Sequence, residues 1–589
     1  VAFIVSRDAV PVEAGTEAGA EAAAGSAGAV KREPWYGTAY TEELITPSQM
    51  QRWGASSRRL ADELALPPKN TFIPQDLTVN DEPDGPPEAK PLDFPRVVAD
   101  TPRLRLWHAP DKLYGEPRGN VYLLLRSPVA AESARARVLS MLFADLFEDS
   151  LQEESYAARI AGLSFALSAD VEGVLVLVSG FSDRLADLLT LVLERLRSFR
   201  VDMDRLGPVL DNLQRSIHNL DQDMPIRQAS RQAAYLLEEP GFSARELQAA
   251  IDARITAEDI TQHVRRLLGA LRVEALVQGN LAEDAAHAIG VQMQDVLAYD
   301  PLAAAKVPPP RVRRVAPGVA AVWQGAVPNA EEPNSAVMTE FLVGADTVEN
   351  RVKASLLGTL LGERAFHQLR TVEQLGYIAS ASTQERSGAL FLRIYVQSSV
   401  HDPAFLDRRV ERFVWDMRAY LKELPEEAFG TLRRTKIRSL LEPYKSQQSV
   451  GDAFWEQIQS RQYEFDRAQQ EAALLRRVTA GEVAELFMTA VARQVSRQKL
   501  AVHMYGSGRP LPAKLDVAYG KATLIRDAAH WRIECPLLPA TKAQKVPNAE
   551  QQRDAAEAAV EEATSGLEEE EEAEEEAEKA QHEEEEEAE

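Results

Sequence analysis

Cysteine is almost absent from the sequence, since Cys535 is the single one among 589 residues. One thiol excludes an internal disulfide framework and a zinc site built from cysteines, and it is typical of a reducing compartment. No apolar run approaches the ~20 residues that a membrane-spanning helix needs. We therefore expect no membrane partner and, unless a targeting segment stands upstream of Val1, a cytoplasmic location.

Basic charge is also in short supply. The chain carries 91 acidic and 66 basic residues, which gives a net charge of −25. Residues 554–589 alone hold 19 acids and one lysine, which leaves 72 acids and 65 bases for the rest of the chain. A mildly acidic body has no basic surplus to hold a phosphate backbone, so we expect no nucleic-acid partner.

The common metal and nucleotide motifs are missing as well. The nine histidines are at least 24 residues apart, so neither HExxH nor its inverted form HxxEH occurs. The GxSxG elbow, the GxxxxGK[ST] phosphate loop and the GxGxxG fingerprint are also absent. We therefore expect that this chain binds no metal by itself.

What the sequence does contain is an internal repeat. LRLWH at 104–108 recurs as AAVWQ at 320–324, which puts Trp107 and Trp323 216 residues apart. In both copies a strand, a long helix and a hairpin follow, and each copy closes on a strand, VEALVQGN or KLAVHMYG. The repeat predicts an α+β protein with two tandem homologous α/β-sandwich domains. We expect each domain to be a mixed, mainly antiparallel sheet covered by helices.

Composition divides the chain into six predicted segments. The opening VAFIVSR is similar to the two closing strands and would be unpaired alone, which indicates the end of an upstream domain. The acidic tail is poor in aromatic and branched apolar residues, so we expect a disordered solubilising spacer, with a docking role as the alternative. The segments are the closing strand of a truncated upstream domain (1–12), a flexible Ala/Gly/Glu insertion (13–33), the first α+β domain (34–300), a Pro-rich linker (301–317), the second domain (318–545) and the acidic tail (546–589).

One segment contains residues suited to chemistry, ERAFHQLRTVEQLGY at 363–377. Arg370 falls near a predicted helix end and Tyr377 follows Gly376 into a strand, so a guanidinium and a phenol could point into the same space. Their hydrogen-bond donors suit a peptide carbonyl or a developing oxyanion. In the structural alternative, Arg370 interacts with the last carbonyls of the helix and Tyr377 is a half-buried strand aromatic.

ERAFHQLRTVEQLGYIAS and ALFLRIYVQSS resemble the C-terminal half of M16 zinc metallopeptidases of the insulin-degrading enzyme and nardilysin branch. EPWYGTAY, NTFIPQDL, YAARIAGLSFALS and RQYEFDR agree in the same order, and the similarity runs from Val1 to about Gly506. The resemblance implies a four-domain endopeptidase whose two halves enclose a chamber. The two repeats here would then be its third and fourth domains.

The resemblance also implies roles for individual residues. In such enzymes the zinc, its ligands and the general base belong to the N-terminal half, and an arginine and a tyrosine of the C-terminal half complete the site. Arg370 and Tyr377 match these two, which implies contacts to the substrate backbone and to the tetrahedral intermediate. Phe366 matches a residue that lines the same region. Because HxxEH is absent, we expect the chain to be inactive alone and zinc to belong to the full-length or partnered enzyme.

The implied partners are peptide substrates and the missing N-terminal half, in the same polypeptide or in a separate subunit, and relatives also form homodimers. Two alternatives remain open at this point. In the first alternative, the chain is a complete non-catalytic subunit that pairs with a separate zinc-bearing chain. In the second, it is a free-standing peptide-binding or chaperone-like module whose acidic tail contacts partners.

Overall fold

The computed structural model describes residues 31–40, 44–60, 68–80, 92–512, 514–515, 517, 521–539 and 545–566, without the side chains of 56–60. The chain divides into two compact units, Val1–Asn70 and Thr71–Glu589. The predicted strand 1–12 and nearly all of the predicted insertion 13–33 lie outside the described residues. In the first unit, β1 (Lys31–Arg32) pairs antiparallel with β2 (Ala39–Tyr40), and the helix α1 (Pro47–Leu60) follows.

The described part of the second unit contains two large sheets and the two-stranded pair β8–β11, and the first large sheet has the order β3-β4-β9-β5-β7-β6, with β10 added beside β9. Its pairs are antiparallel except β4 with β9 and β9 with β10. The strands of this part are β3 (Arg96–Asp100), β4 (Leu104–Pro110), β5 (Arg118–Arg126), β6 (Ser164–Ala169), β7 (Gly173–Phe181), β8 (Glu238–Glu239), β9 (Ala270–Gly279) and β10 (Asp300–Pro301). Its helices are α2 (Ala134–Ser150), α3 (Gln152–Ile160), α4 (Ser182–Ser198), α5 (Met203–Asn219), α6 (Pro225–Leu237), α7 (Ala244–Asp252), α8 (Ala257–Gly269) and α9 (Glu283–Leu297).

The second sheet has the order β14-β15-β13-β16-β12-β17. The strands are β11 (Arg311–Val312), β12 (Ala320–Ala326), β13 (Ser335–Ala345), β14 (Ile378–Arg386), β15 (Ala389–Ser398), β16 (Lys499–Tyr505) and β17 (Ala522–Ile525). The helices are α10 (Val348–Ala365), α11 (Pro403–Lys422), α12 (Glu426–Leu441), α13 (Gln447–Gln459), α14 (Arg467–Leu475), α15 (Ala480–Phe487), α16 (Ala528–Glu534) and α17 (Ala549–Thr564), and the π-helical segments are Phe366–Val372 and Met488–Ala492.

The two sheets repeat one another strand by strand. Their shared cores have the orders β4-β9-β5-β7-β6 and β12-β16-β13-β15-β14, with one parallel pair in each core. Trp107 on β4 and Trp323 on β12 hold equivalent places, opposite Leu276 and Val502 on the parallel neighbours. The prediction of an α+β fold with two homologous, mainly antiparallel sheets covered by helices is therefore confirmed.

The two halves exchange a helix. α6 of the first half packs on β13 and β16 of the second sheet, and α13 of the second half packs on β5 and β9 of the first. Trp455 of α13 stacks on Tyr122 with ring centroids 5.5 Å apart, and Phe454 and Ile458 extend this contact. Both faces of each sheet are thus covered, which buries β13 and β9 on both sides and joins the halves through a shared core.

The predicted linker 301–317 connects the two sheets and is itself packed into their junction. β11 pairs antiparallel with β8, and Val307 and Val312 are buried. The Arg313 side chain donates to the carbonyl oxygens of Arg532 at 2.7 Å and of Glu238 at 3.0 Å. The linker is therefore held by hydrogen bonds and apolar contacts to residues of both halves.

The prediction of a disordered acidic tail is wrong for residues 549–564. These residues form α17, whose first turn is capped by the Asn548 side chain. Ala556, Ala559 and Ala563 lie on one side of the helix and are buried, largely against α14. Small side chains at this spacing allow a close helix–helix contact, although they give little hydrophobic signal in the sequence.

Residues 567–589 lie outside the described part of the chain. None of the helices it contains is both long and apolar enough to cross a membrane.

Candidate functional site

The predicted segment 363–377 links α10 to β14. Thr347 caps α10 by accepting a hydrogen bond from the Asn350 N–H, and the helix runs on to Ala365. It then widens into the π-helical turn Phe366–Val372, and β14 begins at Ile378. π-helical turns shift side chains away from the regular helical positions and occur often at functional sites. Here the wide turn carries both Phe366 and Arg370.

The Arg370 guanidinium lies between two aromatic rings. Its central carbon is 4.5 Å from the centroid of the Phe366 ring and 4.6 Å from that of the Tyr377 ring. Contacts of this kind attract a cation to the faces of the rings, by about 0.5–1 kcal/mol each at exposed sites. The structure thus brings all three predicted site residues together.

This small cluster faces solvent. The Tyr377 side chain is 82% exposed and Phe366 is 46% exposed, while Arg370 is half-buried. Within the described residues the Arg370 guanidinium donates to no helix carbonyl, and Tyr377 is not half-buried, so the contacts of the structural alternative are not present. A fixed guanidinium with a phenol beside it can hold the carbonyl oxygens of an extended peptide and can stabilise a developing oxyanion.

Buried leucines on either side hold the loop between Arg370 and Tyr377. Leu369 and Leu375 are buried in the core of the second half, and the Leu375 N–H donates to the Leu369 carbonyl at 3.0 Å. Gln374 between them has a φ of +51°, which a non-glycine residue rarely adopts. The backbone that carries Tyr377 is therefore fixed by the core below it.

A partly buried ion pair supports the same loop. The Glu373 carboxylate accepts from Arg409 Nε at 2.6 Å and from Gln368 Nε2 at 2.8 Å, and the Glu373 N–H donates to the Gln368 carbonyl at 2.9 Å. Burial alone would raise the pKa of Glu373, but the hydrogen bonds from Arg409 and Gln368 outweigh it and hold the pKa below its ordinary value. Glu373 is thus ionised and ties the π-helical turn to α11.

Two glycines let α10 approach β14 closely. A Cβ on Gly362 would lie 3.0 Å from the Ala381 carbonyl oxygen, and one on Gly358 would lie 3.0 Å from Thr383 Cγ2. The GxxxG spacing of these two glycines therefore lets the helix α10 pack closely on the strand β14. It places the end of α10 directly over the strand that follows Tyr377.

The residues of this cluster do not fit a metal ion. The central group is a guanidinium cation, which carries no lone pair to offer a metal. Within the described ranges, no three His, Cys, Asp or Glu side chains are grouped so that they could hold a metal ion. The chemistry available to this cluster is hydrogen bonding and the stabilisation of negative charge.

Sequence reasoning missed the residues that support the cluster. Glu373 lies in the same segment and could have been singled out as an acid close to a helix end, but its partner Arg409 is on another helix. Gln397 at the end of β15 accepts from the Ile226 N–H at 3.0 Å, so the strand beside the loop is tied to α6 of the first half. No local pattern indicates such long-range partners.

Two family profiles match the chain. The profile described as the middle or third domain of peptidase M16 matches residues 20–250. A second, described as PQQ synthase PqqF-like, C-terminal lobe domain 4, matches residues 356–455 and so contains the Arg370 cluster.

Curated relatives are similar over most of this chain. An Arabidopsis thaliana protein named insulin-degrading enzyme-like 1, peroxisomal, is 30% identical over 86% of this chain and 52% of its own length. A nardilysin-like protein of the same plant is 29% identical over 81% of this chain and 46% of its own length. The chain thus spans about half the length of the curated relatives it matches.

The fold agrees with these matches. The crystal structure of pitrilysin superposes with a TM-score of 0.73 at 24% identity, covering 87% of this chain and 53% of pitrilysin. The repeat, the sheet order, the two profiles and the relatives all indicate the same assignment. This chain belongs to the M16 peptidase family.

Proposed function

We propose that this chain is the C-terminal half of a zinc metalloendopeptidase that degrades peptides in an enclosed chamber. In this proposal 34–300 and 318–545 are the third and fourth domains. The observation that carries it is the Arg370 guanidinium held between Phe366 and Tyr377 on a fixed, solvent-facing loop. The match, which covers about half the length of the curated relatives, supports it.

In the proposed reaction, this chain binds and orients the peptide. Arg370 and the Tyr377 hydroxyl donate hydrogen bonds to backbone carbonyls of the substrate and to the oxyanion that forms on attack by water. Phe366 holds the guanidinium from the other side and lines the substrate path. Zinc, when bound in the other half, activates the attacking water.

Peptide binding by the chain itself tests this role. A fluorescent peptide of about 15 residues is titrated with the chain and followed by anisotropy. We expect Arg370→Ala to weaken binding about tenfold or more, and Tyr377→Phe by a smaller factor, because each removes donors to the peptide backbone. Arg364→Ala is the matched control, since Arg364 lies on the same helix and contacts the Tyr420 ring instead.

The outcomes separate the alternatives. Equal losses for Arg370→Ala and Arg364→Ala would contradict the proposed site. If the protein occurs naturally at its own mass of 65.1 kDa, the separate non-catalytic subunit is favoured. A band near twice that mass, detected with an antibody against 370–399, supports a single longer polypeptide.

A further inference from the structure

A groove lined by arginines lies on the second half, between α11 and the segment that follows α15. We call it the arginine groove. Five arginines and a single acid, Glu411, are among its lining residues. The arginines are Arg408, Arg412, Arg418, Arg493 and Arg497.

The acids around the arginine groove do not cancel its charge. The Glu411 carboxylate is shared between Lys499 Nζ at 2.8 Å and Arg497 Nη1 at 3.0 Å, so its single negative charge already faces two cations. Arg412 pairs with Asp416 and Arg493 with Glu485, but both pairs are about half exposed. Exposed pairs of this kind hold their partners weakly and exchange them readily. The groove therefore keeps a positive surplus on a chain whose net charge is −25.

An exposed apolar surface lies inside this charged rim. Trp415 is 60% exposed and Val495 is 84% exposed, and both line the groove. The Arg418 guanidinium carbon lies 4.4 Å from the centroid of the Trp415 ring. An exposed tryptophan with an arginine against its ring is suited to a segment that carries several carboxylates and some aliphatic side chains.

We propose that the Glu-rich segment 567–589 of this same chain docks in the arginine groove. It contains 15 glutamates and one lysine, with Leu567 and several alanines between them. Charge complementarity favours this occupant because most of the surplus negative charge of the chain is in its last residues.

The last described residues, from which this segment continues, lie within its reach of the groove. Its last residues follow α17, where the Arg476 side chain donates to the Ser565 carbonyl at 2.6 Å and Arg477 pairs with Glu562 at 2.5 Å. From Arg477 the chain runs through α15, which packs on α11, and into the π-helical segment beside Arg493. The helical residues rise about 1.5 Å each and the few others at most about 3.6 Å each, so this path spans at most roughly 30 Å. Twenty-three extended residues reach roughly 75 Å, so the groove is within range.

The test measures the distance from the end of the chain to the groove in the full-length protein. Donor and acceptor dyes are placed at Thr489→Cys, an exposed position beside the groove, and at Glu589→Cys, with Cys535→Ser to remove the native thiol. We expect energy transfer at least about twofold higher at about 20 mM NaCl than at about 1 M, because salt screens exposed charge pairs.

Charge removal then locates the contact. Arg412→Ser, Arg418→Ser and Arg493→Ser together should reduce the low-salt transfer to its high-salt value. The matched control removes three exposed arginines of the first half, Arg159, Arg200 and Arg265, and should leave the transfer unchanged. Circular dichroism checks that both triple variants are folded. The salt titration of the protein with all its groove arginines intact tests docking independently of these substitutions.

Three results would overturn the proposal. The first is transfer that does not depend on salt. The second is an equal loss in the control variant, which would indicate attraction to the protein as a whole. The third is transfer only between separately labelled chains, which would make a second copy the occupant.

Discussion

Gly376 lies so close to Gln397 that a Cβ on Gly376 would fall 1.9 Å from the Gln397 carbonyl oxygen. The glycine is therefore required by space, because the loop that ends in Tyr377 passes directly against the end of β15. The same strand residue accepts from the Ile226 N–H through its side chain at 3.0 Å. The position of Tyr377 is thus coupled to the junction between the two halves.

Replacement of Gly376 by alanine should displace this loop. We expect Gly376→Ala to lower the free energy of unfolding by about 1–3 kcal/mol, the usual cost of overpacking, and to weaken peptide binding. Urea unfolding followed by circular dichroism and peptide anisotropy measure the two effects. Gly207→Ala is the control, because a Cβ there meets nothing within 4 Å and alanine favours the helix α5. Wild-type stability in Gly376→Ala would show that the contact is not as close as described.

The Glu373–Arg409 pair should act on the Arg370 cluster without touching a peptide. We expect Glu373→Gln to weaken peptide binding several-fold, since the amide cannot hold Arg409 as the carboxylate does. Arg409→Lys should rescue part of the effect of Arg409→Ala, because it keeps the charge but loses the geometry of the guanidinium. Anisotropy of the labelled peptide gives the affinities. Binding that is unchanged in Glu373→Gln would remove this residue from the support of the site.

The helix α17 should contribute to stability through its buried alanines. Ala563 is fully buried in the core of the second half, and Ala558, five residues earlier in the same helix, is exposed. We expect Ala563→Glu to lower the free energy of unfolding by about 2–3 kcal/mol, because it places a carboxylate in an apolar contact. The same substitution at Ala558 should change it by less than about 0.5 kcal/mol. Equal unfolding midpoints in urea for the two variants would indicate that α17 does not pack on the core.

Stability should fall as pH falls from about 6.5 to 4, in part because of His263. This histidine is buried against Ser140, with Nε2 to Oγ at 2.8 Å, and its burial lowers its pKa to about 4. The unfolded state, with a pKa near 6.5, binds the proton first, so protonation favours unfolding in this range. The loss is at most about 1.4 kcal/mol per pH unit.

Urea midpoints measured across this range for wild type and His263→Gln test the assignment, and the variant should show the shallower pH dependence. His218→Gln, a change at an exposed histidine, should leave the slope as in wild type. The same slope in His263→Gln as in wild type would assign the acid sensitivity to other groups.

The fold could be predicted from the sequence because its signals are local and occur twice. Strand alternation, turn residues and the recurrence of Trp107 at Trp323 are each visible over a few residues. The helix exchange of α6 and α13 could not be predicted, because each helix has an ordinary amphipathic pattern, and such a pattern does not show which of the two sheets the helix packs on. The alanine face of α17 was missed for a related reason, because alanine is compatible with both a packed helix and a spacer.

The sequence predicted which residues form the candidate site, but it did not predict the residues that hold them in place. The spacing of Arg370 and Tyr377 around a helix end and a glycine indicated a shared space, and the guanidinium carbon lies 4.6 Å from the ring centroid. Their role in catalysis stays a prediction. The contacts that fix them come from Arg409 and Gln397, whose positions depend on how α11 and β15 pack.

The most direct test of the central claim compares the recombinant 589-residue chain with the native protein isolated by an antibody against 370–399. Cleavage of a quenched fluorescent peptide is measured for both, with and without a chelator. We predict that the recombinant chain does not cleave the peptide, and that the native protein cleaves it in a chelator-sensitive way and contains an HxxEH segment in the same or a second polypeptide. Zinc-dependent cleavage by the recombinant chain alone, or a native protein without any HxxEH segment, would contradict the account.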